Sequence, residues 1–305
     1  VQLRAIYRSY GGENMKDRPA YYSKLSCLAS FLRSAAEAGV EPVFVNDGPI
    51  PDDRLRLMQG AGEIVDLPGL GMRGSYLTAL RLATDGRWSR DDVVWFSEDD
   101  YLYRPEALRQ LERATAVIRE ADYFALYGST PNHPALGDAD QDDGPRGWEE
   151  LPPWPVDGHD WVRIRSTAST FGARVGTLAD DLGIFRLCMA PHRNMLRDHD
   201  TCLVYQGFEP HRYRDLTRAA VGLSGPTPRD RVRGAWLSPF LLATNLRSHR
   251  RAQRRRLLVA ADPNFATHME NAFMAPGHDW DALAVETEDW MAARGLSTGP
   301  AAPTS

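Results

Sequence analysis

Long apolar runs are missing from this chain of 305 residues. None approaches the ~18 consecutive apolar residues that a membrane-spanning helix needs. The N-terminus opens on a strand-like segment and shows no signal-peptide pattern. Cysteine is scarce: Cys27, Cys188 and Cys202 are odd in number, and their spacing fits neither a zinc site nor a disulfide framework. Buried, reduced thiols in a soluble, cytoplasmic protein are the expectation. A basic excess is also lacking, and the formal net charge of -5 argues against a general nucleic-acid binder. Lysine is almost absent. Lys16 and Lys24 are the only two, and arginine carries the remaining positive charge. That bias reads as compositional, and no site is drawn from it.

What is present is an alternation of strand and helix signals. Leu3 to Tyr7 is a β-prone run leading into a loop with Tyr10, Gly11, Gly12 and Asn14. Tyr21 to Ala38 has helical periodicity, with Leu25, Leu28, Phe31 and Leu32 on one face and Gly39 as a stop. Val43 to Val45 reads as a buried strand, broken by Asn46-Asp47-Gly48-Pro49. A helix over Asp52 to Gln59, a strand over Glu63 to Leu67, and a helix over Gly74 to Thr84 follow. Next come a strand over Val93 to Phe96, a helix from Pro105 to Glu120 and a strand over Tyr123 to Tyr127. This order predicts an α/β fold, a mostly parallel sheet flanked by helices, with ligands bound beyond the carboxyl ends of the strands. The second half is less regular. Residues 131–160 predict a long loop, its acid-rich stretch from Asp138 to Glu150 a lid or unstructured. Trp161 to Arg174 predicts one or two strands and Leu178 to His192 a helix. The arginine-dense run from Arg247 to Arg256 reads as a solvated helix face.

The strongest local signal is Glu98-Asp99-Asp100 at the tip of the apolar run Val93 to Phe96. If extension continues, Glu98 and Asp100 share a face. Two carboxylates so placed repel unless a cation or a proton lies between them. Oxygen donors suit Mg²⁺ or Mn²⁺. The competing reading is a solvated acidic turn ahead of the next helix.

In this setting the triplet resembles the acidic signature of GT-A fold, family 2-like glycosyltransferases, which belong to the nucleotide-diphospho-sugar transferase superfamily. The likeness runs in order over roughly residues 1–280. Asn46-Asp47 resembles the base-recognition position, and Arg73-Gly74-Ser75 the loop and helix before the acidic signature. Thr170 to Arg174 resembles the second-half strand near the acceptor. Asp198-His199-Asp200 looks like a degenerate form of the segment that supplies the base, and Phe265 to His268 resembles the late histidine of the metal shell.

The resemblance implies one glycosyltransferase domain over 1–290, of hexosyltransferase type. Its nucleotide-sugar half would be 1–130, its acceptor half 131–290, and 291–305 a flexible tail. It implies a divalent metal, Mn²⁺ or Mg²⁺, held by Asp100, Glu98 and His268. It implies a UDP- or GDP-linked donor near Tyr7, Arg8, Asn46, Asp47, Arg73, Glu98 and Asp99, and a hydroxyl acceptor. The base is Asp200, Asp198, Asp181 or Asp180, with inversion as the expected outcome. Tyr7 to Tyr10 could equally pack under the following helix, and Trp148, Trp154 and Trp161 suit either sugar faces or the core. A sugar-phosphate nucleotidyltransferase, with Gly11-Gly12 and Lys16 as an imperfect triphosphate loop, is the main alternative. A non-catalytic carbohydrate- or partner-binding module is the other.

Overall fold

The computed structural model describes residues 1–131, 145–191, 196–251 and 253–295. In chain order the elements are β1 (Leu3–Tyr10), α1 (Lys24–Glu37), β2 (Pro42–Asp47), α2 (Asp52–Gln59), β3 (Glu63–Leu67), α3 (Gly71–Thr84), β4 (Val93–Glu98) and β5 (Tyr101–Tyr103). They continue with α4 (Ala107–Val117), β6 (Tyr123–Ala125), β7 (Trp154–Val156), β8 (His159–Arg163), β9 (Phe171–Arg174), α5 (Val175–Met189) and α6 (Asp198–Tyr205). The last are α7 (Tyr213–Ala220), α8 (Pro228–Arg251), β10 (Leu258–Asp262), β11 (Ala266–His268) and α9 (Trp280–Ala292).

Among the described residues the strands form a nine-stranded sheet in the order β3-β2-β1-β4-β9-β6-β10-β8-β7, and β11 pairs with β5 in a ribbon. The first four neighbours are parallel. β9 runs antiparallel to both β4 and β6, β10 parallel to β6, and β8 antiparallel to β10. This is the Rossmann-like α/β architecture that the alternation predicts, with one sheet built from both halves of the chain.

Alternation along each strand sorts the core onto two faces. Ala5, Tyr7, Phe44 and Trp95 pack on one side with Phe31 of α1 and Leu108 of α4. Ile6, Val45, Val94 and Phe96 pack on the other with Leu80 of α3 and Phe185 of α5. Ser23 caps α1 by accepting the N–H groups of Leu25 and Ser26. Cys27, Cys188 and Cys202 are buried and unpaired with one another. No helix among the described residues is long and apolar enough to cross a membrane.

Several expectations shift. β5, β7 and β11 are three residues each, too short to show a period. The apolar stretch at Cys202 belongs to a helix, α6. α9 runs to Ala292 with Met291 buried, so the expected tail begins as ordered helix; residues 296–305 lie outside the described residues. So do His192 and residues 132–144, which hold most of the expected lid. The arginine run is not simply a solvated face. Arg251 and Arg256 pair with Asp181, and Arg255 lies over the Phe208 ring at 5.0 Å.

Candidate active site

Three parallel strands deliver their carboxyl ends to one place. In their register Arg8 of β1 stands opposite Glu98 of β4, and Tyr10 opposite Asp47 of β2. The ion pair between Arg8 and Glu98 follows directly from that register. Arg8 also donates to the Met72 carbonyl and to Ser75 Oγ, both at 3.3 Å, and lies over the Tyr76 ring. A cleft of about 580 Å³ opens here, lined by Arg8, Tyr10, Asp47, Gly71, Ser75 and Asp99 among others. Gly71 begins α3 with φ of 74°, a left-handed backbone that favours glycine. The N-terminus of α3 therefore faces the cleft, an arrangement suited to an anion.

Asp99 organises the loop above the cleft. Its Oδ2 accepts the Tyr10 N–H at 2.8 Å and a Lys24 ammonium proton at 3.0 Å, with Arg54 3.7 Å away. Lys24 also donates to the carbonyls of Tyr10 and Gly12, and Arg54 to those of Tyr10 and Gly11. Burial raises the Asp99 carboxyl above its usual range, partly opposed by Lys24. Gly11 leaves no room for a side chain, because a Cβ would fall 1.9 Å from the Pro49 carbonyl oxygen. Gly11→Ala is therefore expected to cost about 1–3 kcal/mol, read as a lower urea midpoint, since overpacking displaces backbone.

Asp100 faces elsewhere. The strand ends at Glu98 and the chain turns, so the two carboxylates do not share a face as extension would require. Asp100 Oδ2 meets Arg18 at 2.9 Å, Lys16 at 3.2 Å and His268 Nε2 at 3.1 Å. The β5–β11 ribbon brings His268 there, placing it opposite Tyr101. Burial opposes the Asp100 charge, but the hydrogen bonds from His268 and Arg18 and the Lys16 charge outweigh it. The carboxyl is held well below its usual range.

Of the three expected metal ligands, Asp100 and His268 thus converge, while Glu98 is engaged by Arg8. No group of three His, Cys, Asp or Glu side chains that could hold a metal ion occurs among the described residues. The Asp100–His268 pair already faces an ammonium, 3.1 Å from His268 Nε2, and a guanidinium. Such a donor set does not fit a divalent cation, because a metal would have to displace Lys16 and sit beside Arg18.

The expected base residues separate clearly. Asp198, the first residue of α6, lines a narrow crevice with Tyr76, Thr167 and Ala168. Thr167 and Ala168 also line a second cavity of about 210 Å³, together with Tyr127, Ser129, Ser166 and His199. Asp198 is close enough to Glu98 and Arg8, which line the cleft, to feel both charges. Its carboxyl is pushed up to about 7 by burial and by the Glu98 charge, with Arg8 pulling the other way. Asp200 is engaged by Arg197 at 2.8 Å and His211 at 3.1 Å. Burial raises it, but these partners hold it below the usual range, a structural pairing that anchors α6. Asp180 and Asp181 are not brought to this site. They pair with Arg90, before β4, and with Arg256, before β10, at the amino ends of the strands.

Other expected residues divide similarly. Tyr7 is fully buried between Phe31 and Phe44 and lines no cleft; the exposed Tyr10 does. Asn46 points away from Asp47 and is fully buried, its Nδ2 3.5 Å from Asp66. Arg73 does not line the cleft, whereas its neighbours Met72 and Ser75 do. Trp161 is core, and Trp148 packs against Phe208 and Arg163. Lys16, Arg18, Lys24 and Arg54 were not anticipated as a group. The only two lysines in the chain both meet the acidic triplet, a meeting made by the fold and not by any spacing in the sequence. A wider hollow of about 770 Å³, lined by Leu32, Val40 and Trp290, contains none of the expected site residues.

No family model matches the chain, and no curated protein matches it in sequence. Similar solved structures include TarS of S. aureus, 18% identical with a TM-score of 0.37, covering 59% of this chain and 30% of that one. TarS of S. aureus in complex with UDP is 17% identical with a TM-score of 0.41, covering 67% of this chain and 54% of that one. A 4-diphosphocytidyl-2C-methyl-D-erythritol synthase is 12% identical with a TM-score of 0.38, covering 79% and 98%. The chain thus spans less than a third of the length of the first TarS structure. At these scores the likenesses carry no functional argument.

Proposed function

We propose that this chain is a glycosyltransferase that binds a nucleoside diphosphate sugar in the cleft and passes the sugar to a hydroxyl acceptor in the neighbouring cavity. One observation carries the reading: Arg8 and Glu98 line the cleft and both act electrostatically on Asp198, which lines a crevice together with Tyr76, the ring under Arg8. Tyr10 offers an exposed ring for the base, beside Asp47. Arg8 and the α3 N-terminus face the position of the diphosphate, where guanidinium and backbone N–H groups bind phosphate well. Asp198 accepts the acceptor hydroxyl proton as that oxygen bonds to the anomeric carbon. The bond from that carbon to the diphosphate oxygen breaks, and the electron pair leaves with the nucleotide. With one base on the acceptor side, this displacement inverts the anomeric centre. The buried thiols are in keeping with a reducing, cytoplasmic setting.

A panel of UDP- and GDP-linked sugars tests the reading through slow donor hydrolysis, run with Mn²⁺, with Mg²⁺ and with EDTA. UDP or GDP at a hundred times its Kd is expected to stabilise the fold by about 2.7 kcal/mol, seen as a rise of several degrees in Tm. A panel with neither hydrolysis nor a Tm shift would remove the proposal. The loop from Gly11 to Lys16, lying over the acidic tip, favours a nucleotidyltransferase as the second reading. Pyrophosphate release from a nucleoside triphosphate and a sugar phosphate would select it.

A further inference from the structure

Adjoining carboxylates need positive charge between them, and here the chain supplies all of it. Arg8 sits on Glu98, Lys24 on Asp99, and Arg18 and Lys16 on Asp100. Three of these cations are built into the scaffold. The Lys24 side chain is 3% exposed and donates to two backbone carbonyls. Arg18 is 10% exposed, donates to the Met269 carbonyl at 2.6 Å and lies over the Tyr22 ring. Arg8 is held by Glu98, Met72 and Ser75.

Lys16 differs. Its side chain is 32% exposed, and its contacts are all with side chains: Asp100, His268 and, at 3.6 Å, Glu270. Its backbone N–H donates to the carbonyl of Asn14, a residue that lines the cleft. An ammonium has three donors. It can stay on Asp100 and still give a proton to a ligand oxygen. Lysine is a compact, strongly hydrated point charge that binds phosphate without a fixed fork geometry.

We propose that Lys16, seated on Asp100 and Glu270 and backed by Arg18, is the built-in cation that receives the phosphate groups of the nucleotide in place of a divalent metal. The inference rests on the nucleotide reading above. Asp100 then acts as a positioning residue, holding the ammonium rather than a metal ion, with His268 Nε2 on the same carboxylate oxygen.

Calorimetric titration of the full chain with UDP, GDP and uridine, in EDTA and in Mn²⁺, tests this in the wild type and in Lys16→Ala. The diphosphate is expected to bind in EDTA, with Mn²⁺ changing its Kd less than about threefold. Lys16→Ala is expected to weaken it by roughly 10- to 100-fold, the range for a hydrogen bond to a charged group. Uridine binding should be unchanged. Lys16 lies on an exposed stretch of loop, so the variant should keep its fold, checked by its Tm. Diphosphate binding that appears only with Mn²⁺, or that Lys16→Ala leaves at wild-type strength, would overturn the inference and leave the nucleotide reading intact. No binding of either diphosphate in either buffer would overturn both.

Discussion

Asp198→Asn is expected to lower the transfer rate by roughly 10²–10⁴-fold, the usual contribution of a general base. It should also change the shape of the pH profile. Although Asp198 is only half-buried, desolvation first and the nearby Glu98 charge next push its carboxyl up to about 7. A base must be ionised, so wild-type activity should rise as the pH climbs through about 7, and the variant should lack that limb. Stability moves the other way. The folded carboxyl keeps its proton up to about 7, whereas the unfolded one releases it near 3.8. Below that lower value both states are protonated. Between the two values the folded state holds the extra proton, so raising the pH through this window destabilises it. Asn carries no such proton. Asp198→Asn should therefore be slower yet lose less stability than the wild type between pH 4 and pH 8. A variant with wild-type turnover, or one that keeps the limb near 7, would discard Asp198 as the base.

The second large effect is structural. Asp181 is fully buried and receives the Tyr123 hydroxyl at 3.1 Å, Arg256 Nε at 3.0 Å and Arg251. Asp181→Ala would leave two guanidinium groups and a hydroxyl without their shared acceptor. Breaking a buried ion pair in this way costs about 3–5 kcal/mol. At about 2 °C per kcal/mol for a chain of this size, Tm should fall by roughly 6–10 °C. Nucleotide affinity should be unaffected below that temperature, because the cluster lies at the amino ends of the strands. An unaltered Tm would remove the structural role. A folded variant that loses nucleotide affinity would return Asp181 to the functional site.

The two acids of this pair and the two at Asp198 and Asp200 show where sequence reading stops. All four lie on helices in the second half, and their local patterns are similar. What separates them is which arginines face them. Asp200 meets Arg197 three residues away, a spacing visible in the chain. Asp181 meets Arg256 across 75 residues, and Asp198 feels Glu98 across a hundred; neither spacing is visible. The metal expectation shifted for a related reason. The triplet was legible as needing positive charge, but the loop from Gly11 to Arg18 that folds back to supply it has no periodicity to reveal its path.

The strand–helix alternation, the two-faced sheet and the carboxyl-end location of Asp47 and of Glu98 to Asp100 were decided by the order of residues alone. Hydrophobic period and turn chemistry are local, and parallel pairing then dictates which strand ends meet. The meeting of Asp100 with His268, the filling of that corner by Lys16 and Arg18, and the pairing of Asp180 and Asp181 with arginines away from Asp198 were decided by tertiary structure. Charge pairing and desolvation depend on distances between segments far apart in the chain, and only the packed sheet, with its β5–β11 ribbon, sets those distances.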